Sequence, residues 1–422
     1  MAETTYIVES SLKMTYKDLF CEKDFLKMTI AKIISRFGDS IDTVAYGWLV
    51  FQITGSTALL AALYAVSGIP SFIFNMVSGV AVTYMQKKVV VYLSDFGRGA
   101  IVCITALLFI TGNLEVWHLF LFAFLNSTFE AFRDPAAMPL IMQVIPKEKL
   151  EYAVATMSSG STAAELIGYS VAGVLIGTIG VGPVIFIDAL TFVISGLLIK
   201  FISVEKEQLT HVKLTVKNYF KDLGEGFKYV CNAQVILSIC LFAGIFNVFV
   251  IPFNALQPAY VDEILQKGPE AISIMSVAFL IAMLVGGIIS PKVKEKISGK
   301  AMFIISGLIL AIGYFCLAQL GKVYDSPFLY AYLSGSCAMM GLAVPMLNLP
   351  IKIAIMKQVE EVYLPRTIAF INALSLSTTP LGGGLVGLMI LYIPLQYVYI
   401  IFSVAIIILF ILQIFNKSLS RI

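Results

Sequence analysis

Apolar runs of bilayer-spanning length recur along the whole chain, separated by short polar breaks. They fall near 25–52, 57–84, 95–112, 115–145, 150–179 and 182–203. After a polar stretch they resume near 234–262, 269–291, 300–320, 327–358, 364–391 and 394–415. About 20 apolar residues suffice for a helix to cross the hydrocarbon core. The pattern predicts an all-α polytopic membrane protein with twelve transmembrane helices. The organisation expected is a six-helix bundle over 1–203, a linker over 204–233 and a second six-helix bundle over 234–422. The stretch Tyr219–Phe227 inside the linker has the character of an amphipathic surface helix.

Ionisable residues interrupt this pattern mainly in the first half. Between Phe129 and Ser195, one apolar run carries Glu130, Arg133 and Asp134, and the next carries Glu165 with Gly168, Gly173 and Gly177. The first span carries Arg36, Asp39 and Asp42 at i, i+3 and i+6, near one helix face. A charge at mid-membrane depth is costly, so its default reading is transport or coupling. Asp39, Asp42, Glu130 and Glu165 are therefore the candidate proton or cation sites, with Arg36, Arg133 and Asp134 as modulating charges. The competing reading makes Arg36–Asp39 and Arg133–Asp134 structural ion pairs. Asp188 reads as structural. Asp95 and Arg98 read as a helix start and cytoplasmic-loop contact.

The second half offers amides instead. Asn247, Asn254, Gln257, Asn348 and Asn372, with Phe246, Phe249 and Phe253 alongside, suit an apolar ligand fixed by a few polar groups. Hydrogen bonding between helices is the alternative use of each amide.

Loop charges set the expected orientation. Lys87, Lys88, Lys147, Lys149, Lys292, Lys294, Lys296, Lys300 and Arg366 fall on one side, with only Lys267 and Lys322 on the other. The positive-inside rule places both termini and the linker in the cytoplasm. The polar first two dozen residues contain no secretory signal and read as a cytoplasmic tail.

Composition narrows the class. Hydrophobic residues make up 59% of the 422, charged residues 13%, and mean hydropathy is +0.91. That excludes an ordinary soluble domain. The six cysteines lack metal-ligand spacing, and free thiols are expected. The two histidines, His118 and His211, and the lack of a phosphate-binding loop or nucleophile elbow argue against an enzyme. No cofactor or metal and no nucleic-acid partner is expected. The expected partners are the lipid bilayer, a small-molecule substrate and protons, with the chain a monomer.

The chain repeats itself at about half its length. Gln143-Val144 precedes a basic turn and then Gly168-x4-Gly173, while Gln358-Val359 precedes Arg366 and then Gly382-x4-Gly387. Further motifs follow in order: Trp48-Leu-Val-Phe-Gln-Ile-Thr-Gly-Ser56, the Gly79–Asp95 segment with Lys87 and Lys88, and Phe186-Ile-Asp-Ala-Leu-Thr-Phe192. Pro252-Phe-Asn-Ala-Leu-Gln-Pro258 and Met340-Gly-Leu-Ala-Val-Pro345 come later. In these residues the chain resembles a bacterial major facilitator superfamily exporter of the macrolide-efflux type. The resemblance implies two pseudo-symmetric six-helix halves with a substrate site at their interface. It also implies a gating segment comprising Gly79, Lys87, Lys88, Asp95 and Arg98. The chain departs from the family pattern at Thr83 and Tyr84, where an acidic and a basic residue are usual. It departs again at Tyr169, where Gly-Pro is usual in the antiporter motif. The function implied is secondary active export of amphiphilic, macrolide-like molecules by proton antiport. Export of an endogenous siderophore or peptide, lysophospholipid flipping, and a non-transporting receptor are the alternatives.

Overall fold

The computed structural model describes residues 22–146, 149–204, 224, 228, 234–359 and 364–414. Thirteen α-helices occur among them. The first six are α1 (Lys23–Thr54), α2 (Thr57–Ala81), α3 (Lys87–Ile110), α4 (Val116–Val144), α5 (Leu150–Ile179) and α6 (Val181–Lys200). Then come α7 (Gln234–Ala255), the one-turn α8 (Gln257–Ala259), α9 (Glu270–Lys296) and α10 (Gly299–Gln319). The last three are α11 (Leu329–Gln358), α12 (Leu364–Tyr392) and α13 (Leu395–Leu412). Helices are the form an apolar chain must take in lipid, because each backbone N–H and C=O must find its partner within the segment.

Among the described residues, nine helices are long and apolar enough to cross a membrane: α2, α3, α5, α6 and α9 to α13. Two of the remaining long helices, α1 and α4, carry the mid-span charges: Arg36, Asp39 and Asp42 in α1, and Glu130, Arg133 and Asp134 in α4. The expected linker helix at Tyr219–Phe227 lies outside the described residues, apart from Gly224. So do Lys147 and the side chain of Arg366.

Local chemistry sets the helix ends. Gly55 closes α1 in the left-handed region at φ 57°, its N–H donating to Phe51 O at 2.7 Å. Gly180, at φ 84°, makes the sharp turn from α5 into α6. Ser298 caps α10 by accepting the Ala301 N–H at 3.2 Å. Glu115 and His118 cap α4 reciprocally.

Packing gathers the helices into two groups. In the first, α1 packs on α5 and α6, α3 on α4 and α6, and α2 on α4. In the second, α9 and α10 pack on α11, α10 on α13, and α7 on α12. The groups meet along two seams, α2 with α12 and α5 with α9. One large apolar core runs across both groups. A smaller one lies under the start of α1, where Phe25 and Met28 meet Leu140, Ile141 and Met157.

Close backbone approach makes the seams possible. Gly383 lies against the backbone of Ala65, and Gly173 against that of Pro269 and Glu270. The Gly173 N–H also donates to Ser273 Oγ at 2.8 Å. A Cβ at Gly173 would sit 2.6 Å from Glu270 Cα. Gly173→Leu is therefore expected to lower the thermal midpoint in detergent, at a cost of about 1–3 kcal/mol for overpacking. An unchanged midpoint would mean that α5 and α9 are not held this close.

Candidate functional site

A cavity of about 450 Å³ lies between the two groups. That falls in the range of roughly 300–1,000 Å³ typical of ligand pockets. Its walls are apolar and aromatic: Tyr46, Leu60, Leu63, Tyr64, Ile101, Val102 and Phe122 from the first group, Ile272 and Leu376 from the second. The charged and amide groups facing it are Arg36, Asp39, Asp42, Arg98, Asn126 and Glu130, opposed by Asn254 and Gln257, with serine and threonine hydroxyls between them.

The broken seventh segment brings these amides inward. Pro252 lies inside α7, which stops at Ala255. The chain resumes as α8 and then as a π-helical turn, Tyr260–Leu265. Proline removes a backbone donor and crowds the preceding turn, so it is a natural breaking point. Asn254 and Gln257 flank the break. Tyr64 and Asn254 both line the cavity, and Gln257 Oε1 accepts from Ser276 Oγ at 3.3 Å.

A second cavity, of about 510 Å³, is lined wholly by residues of α1 and α3 to α6, among them Lys32, Arg133, Asp134 and Glu165. Arg36, Asp39, Arg98 and Glu130 line both cavities and mark their junction. Across the groups, Thr57 Oγ1 hydrogen-bonds the Glu263 carboxylate, Gly47 abuts Pro258, and Gly173 meets Ser273.

The charges pair across helices. Arg98, only 5% exposed, donates from Nη2 to Asp39 Oδ1 at 2.7 Å and from Nε to Asn126 Oδ1 at 2.9 Å. Its guanidinium stacks 4.1 Å above the Phe192 ring. Asp95, fully buried, accepts from Arg133 Nε and, at 2.7 Å, from Ser195 Oγ. Arg36 pairs with Glu165 at 3.2 Å.

Several expectations need correcting. Asp95 and Arg98 do not lie in a loop or at a helix start. Helix α3 begins at Lys87, two turns before Asp95, and both side chains are buried in the charge network. Lys87 and Lys88 form the first turn of α3, and Gly79 lies in α2. Arg36 pairs with Glu165 rather than Asp39, and Arg133 with Asp95 rather than Asp134, because each points toward a neighbouring helix instead of along its own.

Three of the five amides do not line either cavity. Asn247 bonds Ser375 Oγ at 3.2 Å, joining α7 to α12. Asn372 is exposed on α12, and Asn348 is partly buried in α11. Asp188, read as structural, is fully buried against α1, where Gly38 faces Asp188 and Thr191. Asn126 was not anticipated. Its signal was an amide one turn before Glu130 in an apolar run.

A protein-family model described as "transmembrane secretion effector" matches residues 19–418. The chain belongs to this major facilitator family. Among relatives of this transporter, the uncharacterized MFS-type transporter YvqJ of Bacillus subtilis (strain 168) is 24% identical, the match covering 88% of this chain and 86% of YvqJ. Macrolide efflux protein A of Streptococcus pyogenes is 22% identical, over 85% of this chain and 87% of that protein. The fold matches that of the nucleoside transporter NupG with a TM-score of 0.75 at 16% identity, over 93% of this chain and 100% of NupG. The family makes this transporter a multi-pass membrane protein and not an enzyme.

Proposed function

We propose that this transporter exports amphiphilic small molecules, macrolide-like drugs among them, by proton antiport with alternating access. The observation carrying this reading is the 450 Å³ cavity, whose walls combine apolar and aromatic side chains with the carboxyl groups of Asp39, Asp42 and Glu130 beside Arg36 and Arg98. Such a cavity suits a molecule with a large apolar body and a cationic group, because an ion pair gains strength where water is excluded. The same carboxylates can exchange substrate for protons. The macrolide name of the streptococcal relative supports the substrate class.

The arrangement proposed is twelve spans in two halves, 1–203 and 234–422, joined by 204–233. The two packing groups and their α2–α12 and α5–α9 seams support it. Rocking one half against the other about these seams would expose the cavity alternately to each side. With both termini cytoplasmic, the Thr57–Glu263 contact lies on the outward side and the 510 Å³ cavity is the inward vestibule.

The orientation has a direct check. Cys21 and Cys231 lie outside the described residues, in segments expected in the cytoplasm. Both should resist a membrane-impermeant thiol reagent in intact cells and react after permeabilisation. Labelling of both in intact cells would overturn the orientation. Transport itself is tested by macrolide flux in proteoliposomes with and without an imposed pH gradient.

A further inference from the structure

We propose that Tyr314 of α10 and Tyr260 of the π-helical turn brace the seventh segment on both sides of its break, and so act as positioning residues for the cavity amides Asn254 and Gln257. Both tyrosines are fully buried, as is Tyr399 of α13. A buried tyrosine hydroxyl needs a hydrogen-bond partner, and here each partner is a main-chain carbonyl. The Tyr314 hydroxyl donates to the Phe249 carbonyl, ahead of the break. Beyond the break, the Tyr260 hydroxyl donates at 2.7 Å to the Leu317 carbonyl in the last turn of α10. Helix α10 thus holds the segment twice, once as donor and once as acceptor. The Tyr399 hydroxyl lies between these two bonds, 3.4 Å from the Pro252 carbonyl. Its ring centroid is 5.0 Å from that of Tyr260 and 5.7 Å from that of Tyr314.

The residues between the two anchors form one wall of the 450 Å³ cavity: Asn254, Ala255, Gln257 and Pro258. They are also the least self-supporting part of the segment. Pro252 has no N–H to give to the carbonyl four residues back. Helix α7 stops at Ala255, α8 is a single turn, and a π-helical turn follows it. Such turns are rare and concentrate at functional sites. A backbone interrupted this often has several conformations open to it unless a neighbour selects one. The bond from Ser276 Oγ to Gln257 Oε1, at 3.3 Å, is long for a hydroxyl donor and holds the side chain only loosely. The tyrosine hydroxyls fix the main chain on either side instead, and with it the direction of both amides.

The braces also decide which half the wall moves with. The seventh segment touches the first group where Gly47 abuts Pro258 and where Thr57 bonds the exposed Glu263. The tyrosines tie it to α10 and α13 of the second group. Under the rocking motion proposed above, the first contacts part and the second hold, so Asn254 and Gln257 withdraw from the charged wall as one unit. As a device for positioning substrate the brace rests on that reading of the cavity; as a support of the broken segment it stands apart from it.

Hydrogen–deuterium exchange of the purified protein reads the brace without a ligand. Tyr314→Phe and Tyr260→Phe keep the ring and remove the hydroxyl. Each should speed amide exchange over 249–265 about fivefold, the factor expected for one lost hydrogen bond. Ser403→Ala is the control. It removes a buried hydroxyl that joins α13 to the Ala311 carbonyl of α10 at 2.8 Å rather than to the seventh segment, and exchange over 249–265 should not change. Erythromycin, a macrolide, is the binding probe. Its dissociation constant should rise in Tyr314→Phe, and the rise should vanish when Asn254→Ala and Gln257→Ala are already present. Unchanged exchange over 249–265 in both tyrosine variants overturns the proposal, as does acceleration spread evenly over the protein. Equal erythromycin binding by wild type and Tyr314→Phe overturns the positioning role, and so does a loss that persists without the two amides. Should Tyr314→Phe not fold, Tyr260→Phe takes its place in both measurements. A wild type that binds no erythromycin, with exchange as expected, upholds the brace and refutes the macrolide reading alone.

Discussion

Arg133→Leu is expected to destabilise the transporter by about 3–5 kcal/mol, because it leaves Asp95 as an uncompensated buried charge. Asp95 is fully buried and, among the described residues, would keep only the Ser195 hydroxyl as a donor. The double variant Asp95→Leu/Arg133→Leu should recover much of the loss, since a buried ion pair replaced by apolar groups is often near neutral in stability. The thermal midpoint in detergent is the readout. A single variant within about 1 kcal/mol of wild type, or a double variant less stable than the single, would show that Asp95 does not depend on Arg133.

Glu130→Gln is expected to abolish pH-gradient-driven export while leaving substrate binding largely intact. Glu130 sits at the junction of the two cavities, where a group exchanging protons between them must lie. Glutamine keeps the shape of the side chain and removes its titration. Asp39→Asn is expected to be the next most damaging, because Asp39 holds Arg98. Wild-type export by Glu130→Gln under the same gradient would take Glu130 out of the coupling path. Substrate binding is followed separately by equilibrium titration of the purified variant.

The sequence pattern made the helices legible because bilayer thickness imposes a length on every apolar run. It also marked α1 and α4 as the charge-bearing helices, since Asp39, Asp42 and Glu130 interrupt otherwise apolar runs. The partners of those charges were not legible. Spacing along one helix suggests Arg36–Asp39, yet the pair that forms reaches across to Glu165 on α5. Asp95 and Arg98 looked like a helix start because the strongly apolar stretch begins there. In the fold, α3 starts two turns earlier and carries both charges into the interior. The amides divide for the same reason. Asn254 and Gln257 flank a proline-driven break that turns them inward, whereas Asn247 has a serine of α12 within reach. Asp188 read as structural, but its neighbour was not legible, because its setting depends on Gly38 letting α6 close against α1.

Macrolide uptake into proteoliposomes with an acidic lumen is the measurement that decides whether this transporter is a proton-driven exporter. Inside-out protein should accumulate macrolide above the downhill level, and a protonophore should collapse the accumulation. Glu130→Gln liposomes should match protein-free ones under the same gradient. Uptake that is equal with and without the pH gradient would contradict proton antiport through the cavity built around Asp39, Asp42 and Glu130.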